Sequence, residues 1–156
     1  VPASLGTEER VLNLILKKAE WAAAKAYLGL SSIAPAALKK QTTAKEFGEA
    51  EFKEAEGWAR VEVDTIEWEV TKGEGTEAEA KKTKYVNKNA ITFKAITGAE
   101  EKKLETFAVL EKAKQGEDAA ESKGIYVFGK LTTPVTINKA TTEFTIPAKE
   151  LVIECE

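Results

Sequence analysis

Ile125-Tyr126-Val127-Phe128-Gly129-Lys130-Leu131-Thr132-Thr133-Pro134-Val135-Thr136-Ile137-Asn138 is the stretch on which the fold class turns. Its first five residues form a continuous apolar run rich in β-formers, which reads as a central strand buried on both sides. Pro134 starts or flanks a second extended piece at 135–137, and Asn138-Lys139-Ala140 reads as a turn.

Working outward, the same reading repeats on both sides. Phe144 and Ile146 alternate, Pro147 interrupts, and Leu151 and Ile153 alternate again. Upstream, residues 104–110 read as a strand, with a polar connection at Gly116-Glu117-Asp118. Ala90-Ile91-Thr92-Phe93 and Lys84-Tyr85-Val86 read as two more, separated from their neighbours by the Thr97-Gly98 turn and the Lys72-Gly73-Glu74-Gly75 loop. In residues 58–64 a period of two places Ala59, Val61 and Val63 on one face. Ile66, Trp68 and Val70 continue it after a phase shift, which predicts a bend at Asp64-Thr65. Ala26-Tyr27-Leu28-Gly29-Leu30 reads as a buried strand, and the Lys/Glu/Ala mixture after Pro35 reads as a loop or a short helix. Seven to nine short strands at spacings near ten residues predict a mainly β fold, an antiparallel β-sandwich or barrel of jelly-roll type. No repeated helices separate the strands, which argues against a parallel βαβ fold.

One helix is expected before the strands. Thr7 suits an N-cap, Glu8 and Glu9 suit the first turn, and Val11, Leu12, Ile15, Leu16 and Ala19 share one face. This predicts a helix over about residues 8–20, following an arm at 1–6 that contains Pro2 and Gly6. Residues 7–156 then form a single β-rich domain. Val1, Pro2 and Leu5 are the arm's apolar residues and the candidates for a subunit or capsid interface, by adding to a neighbour's sheet edge.

Composition narrows the chemistry. The 156 residues include no histidine, one cysteine (Cys155) and no methionine, with a formal net charge of −3. Without histidine, a Ser-His-Asp triad, a Cys-His dyad and an ordinary zinc site are excluded, and most enzymes with them. A lone cysteine excludes an intrachain disulfide. A mildly acidic chain whose only arginines are Arg10 and Arg60 does not resemble a nucleic-acid binder. No apolar run is long enough for a membrane helix, and the first residues lack the pattern of a signal peptide. The cations are otherwise lysine and the anions, apart from Asp64 and Asp118, glutamate. That surface, poor in thermolabile residues, is a thermophile tendency.

The motifs with chemical potential favour structural readings. Glu62 with Asp64, and Glu67 with Glu69, have the i, i+2 spacing of carboxylates lining a solvated strand face rather than an acid–base pair. With two aspartates in the chain, no dense metal-ligand loop is present. Lys72-Gly73-Glu74-Gly75 lacks the phosphate-loop spacing. Trp58 and Trp68 read as core or subunit interface rather than as a sugar platform. No catalytic residue, cofactor or metal is expected.

A resemblance adds to this reading. Residues 26–31 (Ala-Tyr-Leu-Gly-Leu-Ser), 57–63 (Gly-Trp-Ala-Arg-Val-Glu-Val), 89–93 (Asn-Ala-Ile-Thr-Phe) and, most specifically, 127–138 resemble in order segments of small tailed-phage virion proteins. These proteins are often labelled tail-fibre-like or head-decoration proteins. The C-terminal stretch from Phe144 to Ile153 resembles that family's ending. Ser32-Ile33-Ala34-Pro35 departs from its usual Asp-Pro loop, and lysine and glutamate replace its glycine-rich loops. The resemblance implies a β-sandwich virion protein made in the bacterial cytoplasm. Its first reading is a homotrimeric capsid decoration protein that binds the major capsid protein on the outer head surface and cements the shell against DNA pressure. Its alternative is a tail-fibre or tail-tip protein touching the host surface. Neither reading involves nucleic acid or a membrane.

Overall fold

The described strands pair into three antiparallel sheets. The structure is a computed structural model that describes residues 25–72, 83–94, 100–120, 124–138 and 143–155. The expected 8–20 helix, the 1–6 arm with Val1, Pro2 and Leu5, the Thr97-Gly98 turn, residues 73–82 and residues 139–140 of the expected Asn138-Lys139-Ala140 turn lie outside them.

The largest sheet has the order β2-β1-β6-β7. Here β1 is Tyr27–Ser31, β2 Val61–Glu62, β6 Lys102–Leu110 and β7 Ile125–Ile137. Strand β1 runs against β6, with Tyr27 opposite Leu110 and Leu30 opposite Phe107. A second sheet joins β3 (Trp68–Lys72), β4 (Thr83–Asn87) and β9 (Val152–Cys155) in the order β3-β4-β9. A third pairs β5 (Ile91–Phe93) with β8 (Phe144–Ile146). All pairings are antiparallel.

One core joins the three sheets into a sandwich. Leu28, Leu30, Leu104, Phe107, Leu131 and Ile137 of the large sheet meet Ile91, Phe93, Phe144 and Ile146 of β5 and β8, and Leu151 just before β9. Trp58 stacks on Phe93 with ring centroids 4.9 Å apart, and Phe93 stacks on Phe144 at 5.3 Å. Such offset aromatic contacts add to the area term that drives burial.

The opposite face of the large sheet is also covered. Helix α1 (Ala44–Glu49) lays Ala44 and Phe47 over Ala108, Leu110, Ile125 and Phe128. The short-helix alternative for the 37–56 stretch is therefore the one realised. Its start is a capping box: Thr43 Oγ1 accepts from Glu46 N at 3.1 Å, and Glu46 Oε2 accepts from Thr43 N at 2.8 Å.

Two local readings are corrected. Residues 125–129 of β7 are buried or half-buried as expected, but the strand is not central: it ends the hydrogen-bonded order, and β6 is the inner strand beside it. Its pairing jumps from Lys130–Thr106 to Val135–Leu104, so 131–134 bulge out, and Pro134 sits where no ladder N–H is required. In 58–63 the alternation placed Ala59, Val61 and Val63 on one face, but Ala59 is exposed while Val61 and Val63 pack half-buried against the core, and Trp58 and Arg60 are buried. The large indole and a multiply paired guanidinium outweigh a methyl group. The bend expected at Asp64-Thr65 is a 3-10 turn, Val63–Thr65. No helix among the described residues is long and apolar enough to cross a membrane.

Candidate functional site

Charge is concentrated inside the fold around Arg60. Its Nε donates to both oxygens of Glu51, at 3.1 and 3.2 Å. Its Nη1 and Nη2 form a fork on Asp118 at 2.7 and 2.6 Å, and Nη1 also donates to the Lys112 carbonyl at 2.9 Å. Glu51 Oε2 further accepts from Trp58 Nε1 at 3.0 Å and Gln115 Nε2 at 3.1 Å. The Arg60, Glu51 and Asp118 side chains are each about 1% exposed or less. A bidentate, planar donor set of this kind is available to arginine and not to lysine.

The neighbours make room for it. A Cβ on Gly29 of β1 would collide with the Glu51 carboxylate, and one on Gly48 of α1 with that of Asp118. Both carboxylates are locked in ion pairs, so neither can move aside without breaking them.

Burial pushes the Glu51 carboxyl above its ordinary value, against the pull of Arg60, Gln115 and Trp58. Burial alone would lower the Arg60 guanidinium, but Asp118 and Glu51 more than reverse that and hold it charged. No buried side-chain nitrogen or oxygen among the described residues lacks a partner. Each polar side-chain atom of the cluster therefore has a partner within the fold. Its chemistry is that of a clamp, tying residues 48–60 to the 111–118 connection.

A second polar staple sits at the far sheet. Asn87, fully buried, donates from Nδ2 to the carbonyls of Asn89 (2.8 Å) and Pro147 (2.9 Å) and accepts at Oδ1 from Leu151 N (2.9 Å). It fixes the turn in which Lys149 takes a left-handed φ of 68°.

The surface carries the remaining candidates. Glu62 pairs with Lys25 at 2.9 Å, Glu67 lies 3.7 Å from Lys88, and Glu69 lies 3.9 Å from Lys149. Three of the four carboxylates of the sequence reading, Glu62, Glu67 and Glu69, are thus partnered individually by surface lysines. Among the described residues no group of His, Cys, Asp and Glu is arranged to hold a metal. Trp58 is core, and Trp68 packs partly buried against the same core. Val70 and Tyr85, opposite one another on β3 and β4, are the exposed large hydrophobics among the described residues. Depressions on the described surface include one beside Ile66 and Asn89, one between the β7 bulge and β8, and one where Tyr27 and Tyr126 meet the 111–117 connection.

The sequence reading did not find the Arg60 cluster. The signal available was rarity: Arg60 and Asp118 are among the two arginines and two aspartates of a lysine- and glutamate-rich chain. The arm residues Val1, Pro2 and Leu5, lying outside the described residues, are neither brought together with the cluster nor separated from it.

No curated protein matches the chain. A family model does, described as podophage GP4 fiber I protein gp80, and it spans residues 2–154. A match over nearly the whole length, on a mainly β sandwich whose charged centre is a clamp, agrees with the resemblance to phage virion proteins, and the chain belongs to the podophage GP4 fiber I protein gp80 family of fibre-type virion structural proteins.

Proposed function

We propose that this protein is a tail-fibre or tail-tip structural subunit that contacts the host surface. The family match over residues 2–154, to a protein described as a fibre, carries this reading. It supports the alternative drawn from the sequence better than the first reading, capsid decoration. The partner is then a neighbouring copy or another tail protein rather than the major capsid protein. Its work is mechanical, with no enzymatic step, cofactor, nucleic acid or membrane.

The fold suits such a role. A sandwich with a helix-covered outer face and a satisfied ionic clamp resists local opening, because each buried charge keeps its partner only while the whole cluster stays closed. In the proposed assembly three copies associate, and the arm residues Val1, Pro2 and Leu5 contact a neighbour. Many weak contacts then act together.

The test is cryo-electron microscopy of virions labelled with an antibody to this protein. Label on the tail is expected. Label distributed over the head lattice would overturn the proposal and restore capsid decoration.

A further inference from the structure

We propose that the seam between β7 and β8 receives the arm, residues 1–6, of a neighbouring copy as an added strand, resting on the fibre reading for the presence of that copy. The topology makes the seam. The large sheet ends in β2 on one side and β7 on the other, and the β5-β8 pair has two outer edges. One depression lies where residues 61–67 meet 89–92, beside β5, and another where 131–135 meet 145–150, beside β8. The β5-β8 pair thus faces both ends of the large sheet, with a seam on each side.

The two seams differ. The first is bridged from the β5 side: Lys88 N donates to the Glu67 carbonyl at 2.8 Å, and Asn89 Nδ2 to Glu67 Oε2 at 3.0 Å. Across the second, Thr132 Oγ1 donates to the Glu150 carbonyl at 2.8 Å, but among the described residues no strand pairs with the outer edge of β7 or of β8. Residues 131–134 stand opposite Glu105 alone, so they are out of the β6 ladder as well. Unpaired strand edges are templates for an incoming strand. Leu131, Val135, Ile146 and Pro147, with Thr133 and Thr145, surround a volume of about 260 Å³. Glu150 is the one ionisable group among the described lining residues, so the seam suits an uncharged, partly apolar strand.

The arm has that character. Val1-Pro2-Ala3-Ser4-Leu5-Gly6 carries no charged side chain, and edge strands tolerate proline. In a strand Val1, Ala3 and Leu5 share one face, which matches the apolar floor of the seam. Six extended residues reach about 20 Å, and the five of 131–135 about 17 Å. A neighbour donates the arm because of where the chain enters the fold. Lys25 pairs with Glu62, and Val63 N donates to the Ala26 carbonyl, which fixes residues 25–26 beyond the Leu110 end of the large sheet. From there β1 runs toward Thr106. The seam lies at the Leu104–Val135 pair, about six residues or 20 Å farther along β6. The described chain therefore begins at the end remote from its own seam.

The experiment mixes two full chains in a Cys155→Ser background, one carrying Ser4→Cys and the other Thr133→Cys, the latter at an exposed position. A short bismaleimide, whose spacer tolerates adjacent registers, links them, and mass spectrometry reads the joined peptides. The expected result is a 4–133 link between the two chains. Tyr85→Cys, exposed on the far sheet, used in place of Thr133→Cys, should give no link above background. Leu5→Asp should lower the 4–133 yield about tenfold, the scale of one apolar side chain lost from a buried site, with the circular dichroism spectrum unchanged. A chain carrying both Ser4→Cys and Thr133→Cys should link into multimers on a denaturing gel; a 4–133 link confined to single chains would overturn the inference and place the arm in its own seam. No 4–133 link at about 1 mM protein, which half-fills even a millimolar site, or a yield untouched by Leu5→Asp, would overturn it as well. Cross-linking is read on the purified chain and tail labelling on virions, so either proposal fails separately.

Discussion

Glu51 illustrates how one residue is set by partners far away in the chain. It is held by Trp58, Arg60 and Gln115, and no local pattern around Phe52-Lys53 announces a carboxylate facing inward. Sequence spacing reports which residues share a face of one element, whereas this site joins three separate segments. Only the scarcity of arginine and aspartate hinted at it. The residue also carries a pH signature. Burial raises its folded-state pKa above the unfolded value, so the folded state binds the proton more tightly. The resulting stabilisation is fully present below the unfolded pKa and is lost as pH rises through the folded one. Wild type should therefore gain stability relative to Glu51→Gln as pH falls from 7 through the carboxylate range. Arg60 and Asp118 are common to both proteins, so the difference reports on position 51. Urea unfolding of the two proteins at several pH values reads it directly. A gap that shifts in favour of Glu51→Gln on acidification would show that the carboxylate, not the acid, is the form the fold prefers.

At the scale of elements, periodicity served well where a single face is buried. Strands β5 and β8 show a clean buried–exposed–buried pattern, and the alternation of Ile91 with Phe93 and Phe144 with Ile146 was legible for that reason. It misled at 58–60, where ionic partners draw Arg60 inward and Ala59 is left outside. It also gave no rank within the sheet, because α1 covers one face of β7 and so makes an end strand look central. Helix α1 itself was only half legible. Its Thr43-Ala44-Lys45-Glu46 box is a recognised start signal, but six residues are too few for an apolar stripe to show. So short a helix is not stable on its own propensity and depends on Phe47 and on its cap. Thr43→Ala removes the Oγ1 acceptor for Glu46 N, and should cost about 1 kcal/mol within the range of roughly 0.5–2 kcal/mol for such caps. Chemical denaturation with an unchanged m-value checks it. A loss near zero would mean that burial of Ala44 and Phe47 alone fixes the helix.

At the scale of the whole molecule, the lysine and glutamate surface is the feature that composition stressed most, and the structure shows what it amounts to. Among the described residues, the partly or fully exposed pairs Lys25–Glu62, Lys88–Glu67, Lys103–Glu105 and Lys149–Glu69 involve no shared residue. Isolated pairs of this kind contribute about 0.2–1 kcal/mol each at room temperature, and many contribute nothing measurable. Four of them supply on the order of 1–4 kcal/mol. For a domain near this length, 1 kcal/mol moves the melting midpoint by about 2–4 °C, so these four account for roughly fifteen degrees at most. The buried Arg60 cluster and the shared aromatic core are the other stabilising features of the described residues. The expected outcome is a midpoint above the ordinary range of about 45–65 °C. Raising sodium chloride from 0.05 to 1 M contracts the screening length to about 3 Å, and should lower that midpoint by less than about 15 °C, because buried pairs are screened far less than exposed ones. Differential scanning calorimetry at the two salt concentrations measures both quantities. A midpoint inside the ordinary range would remove the thermophile reading. A high midpoint that collapsed in salt would place the stability on the surface charges and not on the clamp.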